Sequence, residues 1–197
     1  MGISTVKVPM GMRCSFFHPI KAEPAASHPT YEAKLDMGHA VKGYLSITTA
    51  SAEIPGDDIT QVSIERFVSG QLDVETTMSD LEVNARIYGH TYTEEDGETS
   101  NSSDAAPNGG YSCIEPILLK NKKVVFRTSC FYKTTAIASS EKQEADTKKS
   151  GELSTKNNAV SLKVLEDNTG DWRRRKEFDT FAEALAFIDT VFRSAAS

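Results

Sequence analysis

Hydrophobic and polar residues alternate most clearly over residues 61–89. Apolar side chains take every second position in Gln61-Val62-Ser63-Ile64-Glu65, and again in Gln71-Leu72-Asp73-Val74-Glu75 after Phe67-Val68-Ser69-Gly70. A period of two is that of a strand with one dry face. The pattern predicts a hairpin turning at Ser69-Gly70. Its dry face carries Val62, Ile64, Leu72 and Val74, and its polar face carries Glu65, Asp73 and Glu75 and is acidic. The period then changes. Ser79 with Glu82 three residues on matches a capping box, Leu81, Ala85 and Tyr88 form one helical stripe, and Gly89 offers a left-handed stop. A short helix over 79–88 is predicted to lie across the end of the sheet.

Other segments follow the same two periods. Val41, Gly43, Leu45 and Ile47 alternate, a second extended piece runs over 52–55, and Pro55-Gly56-Asp57-Asp58 makes a turn. Residues 111–119 and 124–132 predict a second strand pair joined across Lys120-Asn121-Lys122, and Val160, Leu162 and Val164 mark a strand over 158–165. Asp167-Asn168-Thr169-Gly170 is a turn. The chain closes on a helix with a second capping box, Thr180 with Glu183, and a stripe of Phe181, Leu185, Ile188 and Phe192. Residues 92–110 and 139–151 are polar without a period and read as loops. The sum is a mainly β (α+β) chain, with an antiparallel sheet solvated on one face.

Residues 1–36 hold four of the seven prolines. Proline removes a backbone donor, which argues against a long helix or a central strand there, and only 12–17 offers a short strand. The expected division is a Pro-rich N-terminal arm over 1–36 and one β-sandwich domain over 37–197. No apolar run is long enough to span a bilayer and no signal-peptide pattern opens the chain, so a soluble, unprocessed protein is expected. Cys14, Cys113 and Cys130 are an odd set without CxxC spacing, arguing against a disulfide framework or a zinc site. The formal net charge of −6 disfavours wrapping a polyanion.

Candidate chemistry is sparse. His18, His28, His39 and His90 share no metal-binding spacing and read as surface histidines. Phosphate-loop, nucleophile-elbow and dinucleotide fingerprints are absent. Glu94, Glu95, Asp96 and Glu98 lack the alternation of a calcium loop and read as a solvated acidic loop. Arg173-Arg174-Arg175-Lys176 is the one basic cluster, read as a solvated strand edge or a contact to an acidic neighbour. Neither an enzyme nor a cofactor is expected.

Several stretches carry a family resemblance. They are Glu65-Arg66-Phe67-Val68-Ser69-Gly70 with Leu72 and Val74, the helix end Ile87-Tyr88-Gly89-His90, and Ser102-Ser103-Asp104-Ala105-Ala106-Pro107. The ending adds Gly170-Asp171-Trp172 and Phe178-Asp179-Thr180-Phe181-Ala182-Glu183-Ala184. From about residue 41 to the C-terminus the chain resembles the major tail tube proteins of long-tailed phages, in the phi13-like group from phages of Gram-positive bacteria. The Lys120-Asn121-Lys122-Lys123 hairpin departs from that group in lacking a glycine.

The resemblance implies a β-sandwich or half-barrel subunit with a flanking helix, closing into hexameric rings that stack around a channel for DNA. The virion tail is then the location, after synthesis and assembly in the host cytoplasm. Partners are further copies of the chain and tape-measure, tail-terminator and baseplate proteins; DNA passes without sequence-specific binding and no membrane is involved. On this reading Glu65, Asp73 and Glu75 line the lumen. Ring stacking falls to the arm, through Val6, Val8, Met10 and Met12, and to the loop over 50–58, through Ile54, Asp57 and Asp58; residues 92–110 are a further candidate. Arg173, Arg174 and Arg175 make a charge contact between subunits. The free subunit is expected to be a monomer or weak oligomer until a baseplate nucleates it. Two alternatives stand beside this: a ring protein of type VI secretion or a related injection machine, and a monomeric β-sandwich binding module, for instance for carbohydrate, using Tyr92, Tyr111 and Trp172.

Overall fold

A computed structural model describes residues 7–56, 59–77, 80–141 and 158–193. Among these residues the chain is mainly β and antiparallel, with two α-helices, and the sheet does not close into a barrel. The central strands are β9 (Asn108–Leu119) and β10 (Val124–Ala136). On one side of them lie β2 (Arg13–Ala22) with the short β3 (Thr30–Tyr31) and β4 (Leu35–Asp36), and β1 (Lys7–Pro9) pairs the far end of β9. On the other side β10 divides its partners. Its first half pairs β12 (Arg173–Phe178), and its second half pairs β11 (Asn158–Leu165), which continues into β6 (Ile59–Thr76) and the outermost β5 (Ala40–Gly56). A separate small hairpin, β7 (Thr91–Thr93) with β8 (Gly97–Thr99), follows the first helix.

Two cores sit on opposite faces of the sheet because neighbouring residues of a strand point opposite ways. Cys113 and Phe131 join Phe17, Leu72, Val74, Val160, Leu162 and Val164 on the face covered by α1 (Leu81–Tyr88), while Ile114 and Cys130 join Tyr31 on the face covered by α2 (Phe181–Val191). The α2 stripe works as its spacing predicts. Ile188 and Phe192 are buried, Phe181 and Leu185 pack at the margin, and the Thr180–Glu183 capping box is complete. Helix α1 is capped by Asp80, whose carboxylate accepts from Glu82 N; Ser79 lies outside the described residues. Gly89 closes α1 at φ 81°, and a Cβ there would meet Ala105 O at 2.2 Å.

The structure corrects several expectations. Residues 13–36 are not an arm: β2 is ten residues long, lies inside the sheet and buries Ser15, Phe17 and His18. Pro19 is tolerated because its carbonyl still accepts from Glu32 N while the residues flanking it carry the pairing to β3 and β4. The predicted hairpin at Ser69-Gly70 is instead one continuous eighteen-residue strand, β6, with β5 as its partner throughout. Over 92–110 the polar composition conceals the β7–β8 hairpin and the start of β9. His18 is a core residue, stacked on Phe192 at 3.8 Å and hydrogen-bonded to Ser112 Oγ at 2.9 Å. Burial pushes its pKa down to about 3, with Lys34 adding to the shift. His28 is partly exposed but tied down, stacked on Tyr132 at 4.3 Å and bonded to the buried Asp167 at 2.6 Å. The three thiols are free, and burial raises the pKa of Cys130 to about 12.

Candidate assembly surface

The β5–β6 hairpin dominates the surface. Strand β11 covers β6 only from Gly70 to Thr76, so from Ser69 onward toward its tip β6 has no partner but β5 among the described residues. At about 3.3 Å per residue that leaves a two-stranded ribbon on the order of 30 Å long standing off the body. A free two-stranded ribbon is marginally stable in water. Its described side chains are exposed almost throughout, over 46–52 on β5 and 63–66 on β6, and they include Ile47 and Ile64. Nearer the body, Tyr44 is 62 % and Val68 52 % exposed.

Among the described residues no strand pairs the outer edge of β5 or that of β12. Each therefore presents a row of backbone donors and acceptors, the feature that templates pairing with another chain. On β12, Arg173 lies over Trp172 at 4.3 Å and Arg174 over Phe187 at 5.1 Å, so two of the three arginines are steadied by rings of their own subunit. Arg174, Arg175 and Lys176 are exposed.

The three carboxylates expected to share a face do not. The β5–β6 register shifts between Thr48–Ser69 and Thr49–Phe67, leaving Val68 as an extra residue that inverts the alternation. Phe67 stacks on Trp172 against the core, which puts Glu65 on the core-side face of the ribbon and Asp73 and Glu75 on the opposite one. The same bulge turns Ile64, in phase with Leu72 by sequence, to the opposite face, and it is exposed because the ribbon there has lost the cover of β11. Nor is the Asp73–Glu75 face purely acidic. Lys42 is paired across from Glu75, their charges 3.8 Å apart, and Lys163 pairs opposite Gln71 beside Asp73. Asp73 accepts from Ser161 Oγ at 2.5 Å and Gln71 Nε2 at 2.9 Å.

The N-terminal candidates divide. Val8 and Met10 are half exposed or more, whereas Met12 packs against the core beside Gly43. Val6, Asp57 and Asp58 lie outside the described residues, as does the side chain of Ile54. Tyr111 is fully buried and Trp172 is occupied by Phe67 and Arg173, so Tyr92, Tyr111 and Trp172 form no shared exposed platform. Neither a protein-family model nor a curated protein matches the chain.

Proposed function

We propose that the protein is a structural subunit of a phage tail tube, joining copies of itself edge to edge into stacked, hexameric rings around a DNA channel. The observation that carries this reading is the β5–β6 ribbon: a long, exposed, two-stranded projection whose outer edge no strand pairs among the described residues. Such an edge on a monomer invites aggregation, and covering it with a neighbouring sheet removes the liability. The sequence resemblance of 65–70 and 167–192 to tail tube proteins supplies the particular assembly.

The ribbon tip over 50–58 then reaches the next ring, with Val8 and Met10 as a second contact. Asp73 and Glu75 face the channel together with Lys42 and Lys163, giving a hydrophilic wall of mixed charge. Lys42 is already held by Glu75, and a cation so paired neutralises phosphate less and frees fewer of the DNA's counterions. Arg174 and Arg175 meet an acidic neighbour at the subunit boundary.

Sedimentation velocity at rising concentration tests the edge. The wild-type chain is expected to shift to large assemblies, while Tyr44→Asp with Ile47→Asp, two exposed changes, keeps the wild-type melting temperature and stays a monomer. A double variant that assembles as readily as the wild type overturns the role of β5.

A further inference from the structure

Outside the assembly surface, two segments distant in sequence bring three metal-binding side chains together. His90 follows the Gly89 stop of α1, Glu98 lies in β8, and Glu141 follows the single-turn 3-10 helix Ala138–Ser140 after β10. Each offers one donor atom, and these lie within 4.8 Å of one another. His90 and Glu98 are largely enclosed, at 11 % and 13 % side-chain exposure, while Glu141 is open to solvent on one side at 34 %.

The two ring nitrogens of His90 have different surroundings. Glu98 Oε1 is 2.7 Å from Nδ1, with Ser100 Oγ at 3.2 Å. A carboxylate at that distance holds the proton on Nδ1 and leaves the Nε2 lone pair free, the arrangement that orients metal-binding histidines. Nε2 looks toward Glu141 Oε2 at 4.0 Å, too far for a hydrogen bond. Two ligands each about 2.1 Å from a tetrahedral ion stand roughly 3.4 Å apart, so an exposed glutamate needs to move only about half an ångström to close the site.

Tyr88 packs beside the cluster. Among the described residues, Tyr88 Oη is the one buried side-chain polar atom without a hydrogen-bond partner. Tyr88 is 4 % exposed, and its ring lies along that of His90, with centroids 6.0 Å apart. Ser140 lies alongside, and its hydroxyl, which donates to Ile137 O and accepts from Ser161 N, keeps a second lone pair for the Tyr88 hydroxyl.

We propose that His90, Glu98 and Glu141 form a binding site for a zinc-like divalent ion, with His90 Nε2 and Glu141 as direct ligands and Glu98 orienting the imidazole. Imidazole with carboxylate suits zinc and its neighbours better than calcium, which takes oxygen donors alone. The ion ties the β7–β8 hairpin to the end of β10.

Isothermal titration of the full chain with zinc chloride tests this. One equivalent is expected to bind, to be lost in His90→Ala and to weaken at least tenfold in Glu141→Ala, whose exposed position leaves the fold intact. His28→Ala serves as the control, because His28 also stands between two carboxylates, Asp167 and Asp171; its binding is expected to match the wild type. No binding to the wild-type chain overturns the proposal. So does retention of the equivalent in both His90→Ala and Glu141→Ala, or its loss in His28→Ala.

Discussion

Acid should destabilise this fold through His18, by an amount that can be worked from its burial. The imidazole is 1 % exposed, stacked on Phe192, and its pKa falls from 6.5 to about 3. A base whose folded pKa is depressed stays neutral in the native state while the unfolded chain takes up the proton. Its contribution is therefore complete above pH 6.5 and is lost as pH falls toward 3. Each unit corresponds to about 1.4 kcal/mol, so lowering pH from 7 to 4 should cost about 3 kcal/mol from this residue alone. Asp167, Glu23 and Glu177 have lowered pKa values and act in the same direction, so the total fall is larger. Urea unfolding of the wild type and of His18→Gln across pH 4 to 7 separates the terms, since glutamine does not titrate. The difference between the two stabilities should shrink by about 3 kcal/mol on going from pH 7 to 4. Two curves that run parallel refute the buried, neutral imidazole.

Three further predictions concern the fold and the N-terminus. Phe192→Ala removes a ring packed on His18 and Tyr31 beneath Gly110, and should cost about 3–5 kcal/mol in chemical denaturation. Thr180→Ala breaks the α2 capping box and should cost about 1 kcal/mol, read as a lower melting temperature with an unchanged fold. Deleting residues 1–12 removes β1 and its three-residue pairing with β9 but leaves β2 in place. Circular dichroism should show the native fold, and light scattering should show impaired assembly; normal assembly denies the arm its role in stacking.

Much of the architecture was legible in the sequence, and the failures have identifiable causes. The α2 stripe and its cap, the β11 bounds and the β9–β10 pairing follow from side-chain period and capping chemistry, which act locally. The β6 bulge does not. Val68 shifts the phase only because β5 pairs on both sides of it, so Glu65 appeared to share a face with Asp73 and Glu75. Proline density hid β2, whose pairing with the distant β9 outweighs the missing donor of Pro19. The His90 cluster joins positions up to 51 apart in sequence, so no spacing rule finds it.

Negative-stain electron microscopy of the purified protein, fresh and after concentration, tests the central claim most directly. Small particles are predicted in the fresh sample, giving way on concentration to stacked rings or hollow tubes with a central channel. Uniform monomers at every concentration, with preformed tail tips added as nuclei as well as without them, would contradict it.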